Sequence, residues 1–139
     1  MSLMFASAFR YLLAALVVAV LLPGCSQDTA GLPDGLGGFI QVLQDNGVDG
    51  SLYLRKPLNE EMEYIAEYTI ARYSSTRVIS LFRYRDATGA AAGLQEALQN
   101  DKLSGQAANG RFVMVATFYP PDPEAVASIS ALFLAQRFE

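Results

Sequence analysis

The sequence predicts an α+β domain: a small mixed sheet of about four strands with helices packed on it, in the order α-β-α-β-α-β-β-α. Three observations carry this expectation. Stretches with apolar residues at helical spacing alternate with short segments rich in β-branched and aromatic residues. Asn109-Gly110 stands before the apolar run Phe112–Tyr119, a strong short-range hairpin signal. Asp122-Pro123-Glu124 then combines an N-cap residue, a proline at the first helical position and an acid in the first turn.

The elements follow in order. A first helix is expected from Asp34 as N-cap through Leu36, Phe39, Ile40 and Leu43, stopped by Asn46-Gly47. Residues 51–55, SLYLR, read as a short strand. A second helix is expected from Asn59 to Arg72, with Glu60 and Glu61 in its first turn and an apolar stripe of Met62, Ile65, Ala66, Ile70 and Tyr73. Residues 76–85 alternate as a strand, with Val78, Phe82 and Tyr84 on one side and Ile79, Leu81, Arg83 and Arg85 on the other. Asp86 caps a third helix with Ala90, Ala91, Leu94, Ala97 and Leu98 inward. The run 112–119 is apolar on both faces and is therefore expected inside the sheet. The last helix, residues 125–138, is apolar nearly all round, a pattern expected of a helix buried on more than one side.

The N-terminus has a different character. Residues 1–10 carry one positive charge, Arg10, and the twelve residues YLLAALVVAVLL follow without a polar side chain other than the Tyr11 hydroxyl. A basic head, an apolar run of about 7–15 residues and small residues at the cut site are the parts of a secretory signal peptide. A spanning helix needs about 20 apolar residues, and Arg10 on one side and Pro23-Gly24 on the other confine this run. Leu22-Pro23-Gly24-Cys25 resembles the lipobox of bacterial lipoproteins, although Pro23 stands where Ala or Ser is usual. The resemblance covers residues 1–25 only. It implies cleavage after Gly24, a diacylglycerol on the sulfur of Cys25, and, from Ser26, sorting to the periplasmic side of the outer membrane.

Cysteine usage agrees. Cys25 is the single cysteine of 139 residues, and an unpaired thiol in an oxidising compartment is a liability that acylation removes. Stable anchoring takes two or more acyl chains, since one gives only marginal binding. The expected organisation is thus a signal peptide over 1–24, a polar tether over 25–35 and one α+β domain over 36–139.

Composition excludes several classes of chemistry. The chain has no histidine and no tryptophan. Acyl transfer by a Ser-His-Asp or Cys-His set lacks its imidazole, and a zinc site lacks its usual ligands. In DNGVDG, Asp45, Asp49 and Gly50 fall in an EF-hand frame, but Gly47 and Lys56 occupy positions that must be ligands. No metal or dissociable cofactor is expected; the expected attached group is the diacylglycerol on Cys25. All fourteen acids and nine of the ten basic residues follow Cys25, an acidic balance that gives no footprint for nucleic acid.

What remains points to binding. In the expected second helix Tyr64 and Tyr68 project away from the apolar stripe, as a pair able to meet a protein partner. Arg83 and Arg85 share one side of a strand and form a second candidate partner surface. The leading functional expectation is a non-catalytic, lipid-anchored accessory module that contacts an envelope protein. The alternatives are a carboxylate-dependent enzyme on cell-wall or lipid substrates, using the group Glu60, Glu61, Glu63 and Glu67, and a self-associating structural lipoprotein.

Overall fold

A computed structural model describes residues 31–70 and 75–138. The expected signal peptide, Cys25, Arg72 and Tyr73 lie outside the described residues. The domain is α+β, with one five-stranded sheet in the order β1-β2-β3-β5-β4 and three helices packed on it. Along the chain the elements are α1 (Leu36–Asp45), β1 (Gly50–Arg55), β2 (Met62–Ile70), β3 (Thr76–Tyr84), α2 (Ala87–Leu98), β4 (Ser104–Asn109), β5 (Phe112–Tyr119) and α3 (Pro123–Ala135). Every neighbouring pair is antiparallel, so the sheet is not mixed, and it has five strands rather than four.

The strand-by-strand alternation sorts the core into two layers. Phe112, Met114, Ala116 and Phe118 of β5 pack with Ile79 and Leu81 against α1 and α3. Val113 and Val115 point the other way, into a smaller cluster under α2 with Met62, Ile65, Tyr84 and Ala90. β5 therefore buries both faces, as its continuous apolar run requires. On α2 the inward residues are Ala90, Leu94 and Ala97; Ala91 and Leu98 face water, against expectation. On α3 only Val126, Ile129 and Phe133 are buried, so this helix is covered on one side and its outer face is largely alanine and serine.

The largest departure is the segment expected as the second helix. Residues Met62–Ile70 form a strand, between β1 and β3. Tyr64, Ala66, Tyr68 and Ile70 alternate onto the α1/α3 side. A register shift between Met62 and Tyr64 brings Met62 onto the opposite side together with Ile65. Apolar residues from two faces, offset by that irregularity, imitate a helical stripe. The local composition favours extended backbone, since Tyr, Ile and Thr pack well on a pleated surface. Glu60 and Glu61 belong to the preceding loop, where the Asn59 side chain accepts from the Glu61 N–H at 3.0 Å.

The helix starts are local and mostly as expected. The Asp86 carboxylate accepts from the Gly89 N–H at 2.7 Å, and Asp122 from the Ala125 N–H at 3.1 Å. α1 is the exception. Its N-cap is Gly35, in a left-handed conformation at φ 77°, and no side chain caps it. Asp34, also left-handed at φ 57°, turns its carboxylate into the domain instead.

Candidate functional site

Asp34, Tyr64, Arg83 and Phe112 meet at one end of the sheet. Arg83 continues the inward face begun by Ile79 and Leu81 and is only 2% exposed. Its Nη2 lies 3.3 Å from Asp34 Oδ1, and its guanidinium sits over the Phe112 ring, 4.9 Å from the centroid. Tyr64 donates its hydroxyl proton to the other carboxylate oxygen of Asp34 at 2.6 Å. Burial, then the hydrogen bond and charge of Asp34, push the Tyr64 phenol far above its ordinary pKa. The carboxylate thus holds both a buried cation and a phenol, and fastens the turn before α1 to β2 and β3.

These positions correct both candidate surfaces. The tyrosines do not project outward. Tyr68 is 1% exposed and donates to the Val48 carbonyl at 2.6 Å, while Tyr64 is half-buried. Burial is the main cause that raises the Tyr68 phenol to about 12, with the charge of Asp49 second. The two arginines do not share a surface either. Arg83 is interior, whereas Arg85 lies beyond the end of β3, where its Nε donates to the Glu60 carbonyl at 2.6 Å. Arg83 therefore cannot present its charge to a partner, and Arg85 holds the β1–β2 loop.

The glutamates are separated by the change from helix to strand. Glu67 pairs with Arg55 at 3.1 Å and Glu63 with Arg111, while Glu60 and Glu61 remain in the exposed loop. Two of the four are thus neutralised by arginines, as a sheet surface requires of charges facing one another. Among the described residues no three Asp, Glu, Cys or His side chains gather in a way that could hold a metal ion. No helix among the described residues is long and apolar enough to cross a membrane.

Two features remain that sequence reading did not single out. The first is β1, which ends the sheet and, among the described residues, has a neighbour on one side only. Tyr53 and Leu54 on this strand are 63% and 48% exposed, and Leu58 in the following loop is 75% exposed. An edge that no described residue pairs with, carrying apolar side chains, is the arrangement that natural sheets usually avoid. Its sequence signal is the short strand SLYLR, which among the described residues joins the sheet through β2 alone. The second is a groove of about 350 Å³ beside α2, with Met62, Phe82, Tyr84 and Val115 among its walls. The edge β4, by contrast, lies beneath α2 on one side and α3 on the other. Comparison with family models, with curated proteins and with solved structures gives no match for this chain.

Proposed function

We propose that the chain is a lipid-anchored envelope protein that works by binding and not by catalysis, with β1 as its contact surface. The anchor rests on the likeness of Leu22-Pro23-Gly24-Cys25 to a lipobox and on the single cysteine. The observation that carries the binding role is the open edge of β1 with Tyr53, Leu54 and Leu58 exposed around it. Such an edge takes an added strand: main-chain hydrogen bonds supply affinity, and alternating side chains select the partner. A non-catalytic role is supported by the lack of any histidine and by the arginine pairing of Glu63 and Glu67.

Photocrosslinking in intact cells tests this reading. A photoreactive amino acid at Tyr53 is expected to give one discrete adduct with another envelope protein or with a second copy. The same group at Leu134, which is 56% exposed on α3, gives none. Leu54→Lys, which sets a charge on the edge, is expected to reduce the Tyr53 adduct by roughly tenfold or more. Equal labelling from both positions, or an adduct indifferent to Leu54→Lys, contradicts the role given to β1.

A further inference from the structure

The described residues cover the face of the sheet that carries α2 only in part, and beside that helix lies the groove of about 350 Å³. This volume is within the range of about 300–1,000 Å³ typical of small-molecule sites. Phe82, Val113 and Val115 form part of its floor, and Met62, Ala97 and Leu103 close its sides. Beside these apolar residues lies the Tyr84 hydroxyl, on a residue that is 5% exposed, and Asn59, Glu96 and Asn100 are the other polar residues of the lining.

That hydroxyl makes no hydrogen bond with any described residue. It is not sealed from solvent, so its acceptor comes from water or from a ligand in the groove. The reason it lies where it does is Gly93: a Cβ at that position would collide with the Tyr84 hydroxyl, so α2 settles onto the phenol only because residue 93 is glycine. The groove therefore offers a hydrogen-bond donor in apolar surroundings, free to serve a molecule that enters. Charge narrows the choice further. Glu96 lines the same groove, and both it and Glu61 act electrostatically on Tyr84. Two carboxylates near the donor disfavour an anion such as a fatty acid.

We propose that this groove binds an uncharged acyl ester of the monoacylglycerol type, with its carbonyl accepting from the Tyr84 hydroxyl and its chain against Met62, Phe82 and Val115. The volume suits an ester with a medium-length chain, about a dozen non-hydrogen atoms at roughly 30 Å³ each, leaving a glycerol headgroup at the mouth beside Asn59 and Asn100. Leu58 borders both this groove and the β1 surface, whereas Tyr53 and Leu54 do not line the groove, so the variants at those two positions separate the two roles.

The test uses the full chain in phosphatidylcholine nanodiscs with a diazirine-bearing monodecanoin, and labelled residues are read by mass spectrometry. Labelling is expected on groove residues, and unlabelled monodecanoin competes whereas decanoate does not. Tyr84→Phe removes only the hydroxyl and is expected to weaken competition by roughly two- to tenfold, the worth of one hydrogen bond. Ala97→Phe, which fills the groove, is expected to abolish labelling with the circular dichroism spectrum unchanged. Asn100→Trp, at the exposed margin, serves the same purpose if Ala97→Phe does not fold. Labelling outside the groove, equal competition by decanoate, or unaltered competition in Tyr84→Phe overturns the proposal.

Discussion

Asp34→Ala is expected to lower the unfolding free energy by about 2–3 kcal/mol, the worth of hydrogen bonds to a charged carboxylate that is itself 27% exposed. Arg83 is 2% exposed, so its guanidinium cannot turn to water when the paired carboxylate is taken away. Tyr64 loses the acceptor of its 2.6 Å hydrogen bond in the same step. The companion variant Asp34→Ala/Arg83→Met removes the charge along with its partner and keeps most of the side-chain volume. Because an apolar replacement of a buried pair is often nearly neutral, this double variant is expected to recover much of the loss. Urea unfolding of both variants measures the coupling directly. A single variant within about 1 kcal/mol of the parent, or a double variant no better than the single, would show that the pair does not fasten the turn before α1.

Alkaline pH is expected to unfold the domain unusually early. Three phenols are raised: Tyr64, Tyr68 and Tyr84, in each case chiefly by burial. Below pH 10 the phenols are protonated in both folded and unfolded chains, so this contribution to stability is fully present. Above it the unfolded chain releases protons that the folded chain retains, and stability falls with rising pH. For Tyr68 the window runs from 10.0 to about 12, which corresponds to about 3 kcal/mol at roughly 1.4 kcal/mol per pH unit. Tyr64 and Tyr84 add to the slope in the same direction. Tyr68→Phe should lose about 1 kcal/mol at neutral pH, because the Val48 carbonyl loses its donor. The same variant should show a visibly flatter fall between pH 10 and 12. A stability profile for the parent that is level across this window would contradict the burial of these side chains.

Much of the fold could be read because its signals are local. Asp86 and Asp122 cap helices through bonds that reach three residues along the chain, and Asn109-Gly110 closes a hairpin between adjacent strands. β5 declared itself by being apolar at every position that the sheet buries. β2 did not, because the register shift after Met62 moves one apolar residue across the sheet and turns a period of two into an apparent helical spacing. The mistaken helix then carried Tyr64 and Tyr68 outward, whereas alternation through Tyr64, Ala66, Tyr68 and Ile70 sets all four inward.

The polar cluster was harder to read for another reason. Asp34 meets Tyr64 and Arg83 across long stretches of chain, and no spacing rule links such positions. A partial signal did exist. The face Ile79, Leu81, Arg83 continues a core stripe into a charged residue, and a cation on a buried face implies a carboxylate opposite. The groove left no trace in the sequence, because it is formed by what α2 fails to cover. Even so, the glycine at 93 and the tyrosine at 84 that meet across it are both visible once the sheet is known.

The central claim is that this domain is held at a membrane by lipid on Cys25 and acts there by binding. The most direct measurement is the intact mass of the membrane-extracted protein, beside the Cys25→Ser variant. The expected result is a chain that begins at Cys25 and carries added diacylglyceryl mass, with that mass absent from the variant. An unmodified chain that retains its first 24 residues in both samples would contradict the anchor, and with it the assignment of the protein to the envelope surface.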